Sequence, residues 1–145
     1  MCGRFTLTVR PEAMLEAYPV VEVPTDWEPR YNVAPSQNVA VIANREPDRV
    51  QLFRWGLVPF WAKDEKVGYK MINARADSLA QKPAFRKPLE KRRCLVLSDG
   101  FYEWKAVPGS KVKQPYYIRL KEGRPFAYAG LWEFWRPAEG EPVHS

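Results

Sequence analysis

The residue with the clearest chemical potential is Cys2, which follows the initiator methionine. A methionine that precedes a small residue is normally removed, and Cys2 would then carry its amine and its thiol on adjacent carbons. An α-amine has a pKa of about 7.7–8.0, so a useful fraction is neutral at pH 7 and can attack an aldehyde to give a Schiff base. The thiolate can then close a five-membered thiazolidine ring at little entropic cost.

The alternative for Cys2 is an unreactive thiol on a frayed terminus. Two neighbouring features favour the reactive interpretation. Gly3 allows close approach of the backbone, and a strand that starts at Arg4 would anchor the terminus.

Three further side chains are candidates for a catalytic or binding role. Glu103 stands in FYEWK, where a carboxylate among large aromatic rings is partly desolvated and suited to general acid–base work. Asn73 and Arg75 stand two residues apart in MINARAD, where an amide could orient a substrate and a guanidinium could hold a phosphate. The alternatives are a solvated strand face for Glu103, a turn for Asn73 and a plain surface position for Arg75.

The charge pattern favours a polyanionic partner. The formal net charge is +6, and the stretch 82–93, which includes Arg86, holds six basic residues and one acidic residue. A solvated basic face is the usual explanation of such a run. Exposed aromatic residues beside it, with Trp61 and Trp104 as candidates, would instead favour stacking of single-stranded nucleic acid bases along a charged groove.

Several classes of protein are disfavoured by what the sequence lacks. Two cysteines do not make a disulfide scaffold, and Cys94, flanked by apolar residues, is predicted to be a core residue. No zinc-ligand spacing, Walker loop or dinucleotide fingerprint is present, so neither metal nor cofactor is expected. No secretory leader and no apolar run of roughly 20 residues occurs, which favours a cytoplasmic protein without membrane contact. His144, the only histidine, is given no role.

The elements expected around these residues are mostly strands. Fourteen prolines and eight glycines predict many turns, and the length of 145 residues predicts one domain over 1–145. Pro11 opens a predicted short helix over 11–18, and residues 18–37 are predicted to be a loop. Alternation and apolar runs predict strands over 3–9, 38–43, 49–55, 93–98, 101–105, 114–120 and 126–133.

The remaining segments are predicted to be irregular. Residues 56–70 form an aromatic-rich loop, and residues 74–90 form short helical pieces broken by Pro83 and Pro88. Asp99 and Gly100 are predicted to form a turn. The tail 136–145 is polar and shows no closing element.

Taken together, the motifs of the chain resemble the SRAP family, the SOS-response-associated peptidases that are also known as abasic-site shielding proteins. The matching segments follow family order over nearly the whole chain: MCGRF (1–5), RYNVAPSQ (30–37), RWGLVPFWAKD (54–64), MINARADS (71–78), KPAFR (82–86), RRCLVLSDGFYEWK (92–105), PYYI (115–118) and FAYAGLWE (126–133). Any one segment is modest support, but the set is highly specific.

The resemblance implies a fold and a set of roles. The fold is α+β, with a curved, barrel-like antiparallel β-sheet and short peripheral helices. Met1 is expected to be removed, by self-processing in some members, and Cys2 to form a thiazolidine crosslink with the aldehyde of an abasic site. Asn73 and Glu103 match the active-site Asn and Glu of the family. Arg4 and Arg75 match positions that hold the DNA backbone, and Trp61 and Trp104 match aromatic positions near the DNA, with Arg86 as a further candidate contact.

One departure from the family pattern concerns its histidine segment. His144 is not followed by Arg-Met-Pro, so the chain is expected to be truncated, without the C-terminal strands and catalytic histidine of the family, and impaired in activity. The expected partner is single-stranded DNA that contains abasic sites, with the replication machinery as a further candidate partner, and the expected state is a monomer acting in the DNA damage response. Two alternatives stay open: a non-covalent single-stranded nucleic-acid binding module, and an N-terminal-nucleophile peptidase.

Overall fold

The computed structural model of the chain describes residues 2–19 and 22–145. Met1, whose removal the sequence analysis expects, lies outside the described residues, as do residues 20 and 21 of the predicted loop over 18–37. Among the described residues no helix is long and apolar enough to cross a membrane.

Ten strands and two short α-helices make up the regular structure of the described chain, together with three 3₁₀ turns over 65–70, 76–81 and 121–123. The helices are α1 (Pro11–Ala17) and α2 (Pro83–Lys91). The strands are β1 (Phe5–Leu7), β2 (Arg30–Val33), β3 (Asn38–Ala43), β4 (Glu46–Arg54), β5 (Arg93–Ser98), β6 (Gly100–Lys105), β7 (Gln114–Ile118), β8 (Phe126–Leu131), β9 (Phe134–Trp135) and β10 (Val143–His144).

The strands form two four-stranded antiparallel sheets. The first sheet has the order β2-β1-β6-β7 and the second the order β4-β3-β5-β8, while β9 pairs with β10. The α+β class with antiparallel sheets and short helices is therefore confirmed. In the described residues these sheets are separate and do not close into a barrel.

Strand β3 separates two buried apolar clusters, one on each of its faces. Side chains alternate across a strand, so Val39 and Val41 face one way and Ala40 and Ile42 the other. The first pair packs with Phe5 of the other sheet in one buried cluster. The second pair belongs to a cluster on the opposite face, which includes Leu7, Met14 and Leu97. Burial on both faces accounts for the unbroken apolar run that predicted this strand.

Two predicted segments differ from the structure. The loop predicted over 18–37 contains β2, which pairs with β1 between Phe5 and Val33, because a partner strand and not local propensity sets this pairing. Of the two breaks predicted within 74–90, the one at Pro83 is present, because the 3₁₀ turn over 76–81 ends before it and Pro83 opens α2, where its missing N–H costs nothing. The break predicted at Pro88 is wrong, because the buried Pro88 lies inside α2.

The polar tail is also more ordered than predicted. Val143 and His144 pair with β9, and the backbone of Ser145 exchanges two hydrogen bonds with that of Glu133, at 2.7 and 3.0 Å. The His144 ring stacks on Phe53 with centroids 5.0 Å apart. The segment therefore closes over the apolar core, which its composition alone did not reveal.

Candidate active site

The start of the chain is fixed by a buried carboxylate, Asp99, which is 3% exposed. Its oxygens accept hydrogen bonds from the Thr6 hydroxyl at 2.5 Å, from the Thr8 backbone N–H and hydroxyl at 2.5 and 2.6 Å, and from the Val9 N–H at 3.0 Å. A buried carboxylate needs such donors to offset its lost hydration. Asp99 thus ties β1 to the junction of β5 and β6, instead of forming the predicted turn.

Cys2 lies directly before this anchored strand and is half-buried. Its Sγ donates a hydrogen bond to the carbonyl oxygen of Arg4 at 3.3 Å and lies 3.9 Å from the hydroxyl of Tyr128. A Cβ added at Gly3 would meet nothing within 4 Å, so the space beside Gly3 is open in this structure. The anchored strand is one feature that separates this thiol from a frayed terminus.

Asn73 reaches the same position from a distant part of the sequence. Its Nδ2 donates a 2.6 Å hydrogen bond to the backbone carbonyl oxygen of Cys2. The segment that carries it is held by Trp55, whose indole N–H donates to the Ile72 carbonyl at 2.8 Å, and by a backbone bond from Leu57 to Met71 at 3.1 Å. Two predicted site residues, 71 positions apart, are therefore in direct contact.

A cavity of about 260 Å³ opens beside Cys2 and Asn73. Most of its wall is apolar, with Val41, Phe53 and Val96 among the lining residues. Its one guanidinium among the described residues belongs to Arg54, whose Nη1 lies 3.4 Å from a Glu65 carboxylate oxygen. The Nε and Nη2 of Arg54 are buried with no hydrogen-bond partner in the described structure. The cavity therefore combines the Cys2 thiol, the Asn73 amide and the positive charge of Arg54 in apolar surroundings.

Glu103 and Arg4 lie on neighbouring strands at the same end of the first sheet. The Tyr102 N–H donates to the Arg4 carbonyl at 3.0 Å, and the register that pairs Phe5 with Phe101 places Glu103 across from Gly3. Glu103 shares a strand face with Phe101, which packs against the cluster that includes Cys2, but it does not line the cavity. The Arg4 guanidinium donates to Asn32 Oδ1 at 3.1 Å.

Two further predicted DNA contacts are Arg75, which follows Asn73 by two residues, and Trp104, which lies on β6 of the first sheet. Arg75 pairs with Asp77 at 2.8 Å, and this hydrogen bond raises the pKa of Arg75 and lowers that of Asp77. Trp104 is 46% exposed, and its ring centroid lies 6.4 Å from that of Tyr102.

The other two predicted DNA contacts lie on or beside α2. Trp61 is 54% exposed in the loop that precedes the first 3₁₀ turn. Its neighbour Phe60 holds the ammonium of Lys87 over its ring, 5.0 Å from the centroid, which brings this loop against α2. Arg86 is exposed on the same helix, next to Phe85 of the cavity wall. The loop and helix thus form a basic and aromatic surface.

Sequence reasoning missed Tyr128 and Arg54 as parts of the site. Both stand in strands whose apolar neighbours predicted ordinary core or surface positions. Burial raises the pKa of the Tyr128 phenol well above its usual range. A partly buried tyrosine needs a partner for its hydroxyl, and that requirement is the one signal that could have singled it out.

Cys94 lines the cavity too, as a buried core residue, and burial raises the pKa of its thiol to about 12. Neither cysteine forms a disulfide. Across residues 2–19 and 22–145, no group of three histidine, cysteine or carboxylate side chains could hold a metal ion.

Fold and site together define an α+β protein of two four-stranded antiparallel sheets in which Cys2 lines an apolar cavity. Residues 1–145 match the family model SOS response associated peptidase (SRAP), and the chain belongs to this family.

Curated relatives and solved structures agree with this assignment. The chain is 49% identical over 148 residues to the abasic site processing protein YoqW of Bacillus subtilis, and the match covers 100% of this chain and 66% of that protein. It is 30% identical to the abasic site processing protein HMCES of Rattus norvegicus, covering 100% of this chain and 55% of that protein. A crystal structure of a Bacteroides thetaiotaomicron protein matches with a TM-score of 0.84 at 30% identity, over 99% of this chain and 65% of that one. The chain thus spans about two thirds of the length of these bacterial proteins.

Proposed function

We propose that this chain senses abasic sites in single-stranded DNA and bonds to them covalently through Cys2 once Met1 has been removed. The observation that carries the proposal is the position of Cys2, whose backbone is held by Asn73 and whose thiol faces an apolar cavity. The family supports it as well, since curated relatives are named abasic site processing proteins.

The proposed reaction joins both groups of the cysteine to one carbon of the opened sugar. The free amine adds to the aldehyde carbon, and loss of one water gives an imine. The sulfur then attacks the imine carbon: a C–S bond forms, the C=N π pair moves to nitrogen, and the thiol proton ends on that nitrogen. No oxidant, metal or cofactor is required.

The neighbouring side chains have distinct proposed roles in this reaction. Asn73 orients the cysteine through its hydrogen bond to the Cys2 carbonyl. Glu103, across from Gly3 at the same end of the sheet, shuttles protons as water is lost and the ring closes. Both roles require fixed geometry, which the anchoring of β1 by Asp99 supplies.

The DNA strand itself is held by charge and by stacking. Arg4, Arg75 and Arg86 are exposed guanidinium groups that suit phosphate oxygens. Trp61 and Trp104 are about half exposed and offer ring faces to unpaired bases. In the cell, we place this activity in the DNA damage response, on single strands exposed near the replication machinery.

The test is crosslinking to an abasic single-stranded oligonucleotide, read on a denaturing gel and by intact mass. The wild-type chain and a Cys94→Ala variant should both give the adduct, and Cys2→Ala should give none. The two variants each remove one thiol, so they separate loss of the nucleophile from a general effect of losing a cysteine. Crosslinking by Cys2→Ala at the wild-type yield would identify a lysine as the nucleophile and overturn the proposal.

The same experiment distinguishes the alternatives. Equal, salt-sensitive affinity for intact and abasic strands without any adduct would indicate a non-covalent binding module. Cleavage of other peptides in a Cys2-dependent way would indicate a peptidase, whereas we expect at most loss of Met1.

A further inference from the structure

We propose that Tyr128 is a positioning residue of this site: its hydroxyl holds the Cys2 sulfur toward the cavity and directs it into the ring-closing step. The inference rests on the proposed function of Cys2 and assigns a role within it to a residue of the other sheet.

The contact between Tyr128 and Cys2 bridges the two sheets. Tyr128 belongs to β8 of the second sheet, whereas Cys2 precedes β1 of the first. Its hydroxyl oxygen lies 3.9 Å from the Cys2 Sγ, and both residues line the cavity. The Cys2 S–H donates to the Arg4 carbonyl, which leaves the sulfur lone pairs to accept from the phenol. The thiol is therefore held from two sides.

Aromatic neighbours fix the position of the Tyr128 ring, and they therefore also fix the position of its hydroxyl group. Its centroid lies 6.0 Å from Phe5, 6.3 Å from Phe101 and 5.3 Å from Phe126, with the rings edge to face in each pair. Edge-to-face packing of this kind fixes ring orientation as well as position. None of these contacts uses the hydroxyl, which is left to the polar groups beside it.

The phenol of Tyr128 keeps its proton at neutral pH and can donate it in a hydrogen bond. Burial raises the pKa of Tyr128, a hydrogen bond with Ser98 lowers it, and the hydrogen bond with Cys2 and the charge of Asp99 raise it further. The Arg54 guanidinium stands in the same cavity wall, and Glu103 lies on the strand that pairs with β1. The phenol therefore stays protonated, and it neither takes the thiol proton nor attacks the sugar.

A donor aimed at sulfur affects one step of the proposed reaction and not the other. Imine formation uses the amine and does not involve the sulfur. Ring closure requires the sulfur lone pair to point at the imine carbon in a reactive geometry. Loss of the hydroxyl should therefore leave the first step unchanged and slow the second.

The experiment compares Tyr128→Phe with Tyr117→Phe. Tyr117 is a matched control, because its hydroxyl lies 2.9 Å from the Thr6 hydroxyl and not at Cys2. Each protein reacts with an abasic oligonucleotide, and cyanoborohydride is added at successive times. Reduction turns the imine into a secondary amine that is two mass units heavier and keeps a free thiol, while the closed ring is far less reactive.

In Tyr128→Phe we expect the reducible imine to persist, with ring closure slowed roughly fivefold, as for loss of one neutral hydrogen bond. Tyr117→Phe should match the wild type. A merely structural role would lower the total adduct without changing the imine-to-ring ratio. An unchanged ratio in Tyr128→Phe overturns the inference, while absence of any adduct from the wild type overturns the proposed function instead.

Discussion

The side-chain amide of Asn73 donates a 2.6 Å hydrogen bond to the backbone carbonyl of Cys2. This contact joins a segment after the first 3₁₀ turn to Cys2, ahead of β1, and it does not involve the Cys2 thiol. The backbone of Cys2 is therefore held by a contact that leaves its side chain in the cavity wall.

Replacement of Asn73 by alanine should slow crosslinking to an abasic oligonucleotide roughly fivefold, which corresponds to about 1 kcal/mol for one hydrogen bond to a backbone carbonyl. The measurement is the rate of adduct formation at saturating DNA. Asn38→Ala, at an exposed asparagine outside the cavity, serves as the matched control. Equal rates in all three proteins would remove Asn73 from the site.

Iodoacetamide should label Cys2 and spare Cys94 in the native protein at pH 8. The Cys94 thiol is buried and its pKa is raised to about 12, so it is neutral at this pH, whereas Cys2 is half-buried at a cavity mouth. Intact mass should show one adduct in the folded chain and two after denaturation. Native labelling that persists in Cys2→Ala would show that Cys94 is accessible.

The stability of the fold should fall as the pH drops below about 6.5, in part through His144. Desolvation, followed by the charge of Arg45, lowers the pKa of His144 from its ordinary value of 6.5. Below pH 6.5 the unfolded chain binds a proton at His144 more readily than the folded chain does. The contribution of the neutral His144 to the free energy of unfolding is therefore present above pH 6.5 and is lost below it. Between pH 7.5 and 5.5 the melting temperature of the wild type should fall further than that of His144→Phe, which keeps an aromatic ring against Phe53.

Alanine at Gly56 should destabilise the fold by about 1–3 kcal/mol, the usual cost of overpacking. Its φ is +116°, and an added Cβ would lie 2.5 Å from the carbonyl oxygen of Gly68. Chemical denaturation measures the loss, and Gly3→Ala, whose Cβ meets nothing within 4 Å, is the control. A Gly56→Ala variant as stable as the wild type would show that the two backbones can separate without cost.

Replacement of Trp61 by alanine should weaken binding to intact single-stranded DNA roughly tenfold, as expected for the loss of one stacked base. The measurement is fluorescence anisotropy with an oligonucleotide that contains no abasic site, so that covalent capture does not contribute. Tyr69→Ala, an exposed aromatic that packs against Arg54, tests whether any surface ring would serve. Equal losses in both variants would argue against specific stacking on Trp61.

The sequence revealed the parts of this site that depend on residue type, and missed those that depend on pairing between sheets. Position 2 and the MINARAD motif pointed to Cys2 and Asn73 because their chemistry is local. Tyr128 looked like any aromatic residue of an apolar strand, and its contact with Cys2 joins residues 126 positions apart. Asp99 looked like a turn residue, since nothing local shows that four distant N–H and O–H donors converge on it.

Other differences have the same origin. The strand over Arg30–Val33 is stabilised by its pairing with β1 and not by its own proline-rich surroundings. Its local sequence therefore did not predict a strand. The strand Asn38–Ala43 was predictable because burial on both faces produces a continuous run of apolar residues in the sequence.

The attachment of β1 has a mechanical consequence. A load applied at Cys2, such as tension along a bound strand, would pull β1 lengthwise past β2 and β6, which flank it on both sides. The hydrogen bonds between these strands are then loaded in shear. The hydrogen bonds that Asp99 accepts hold the other end of β1 in place. Detachment of β1 would require these hydrogen bonds to rupture together instead of one after another. The attachment at Cys2 should therefore survive a pulling force for longer than the length of β1 suggests.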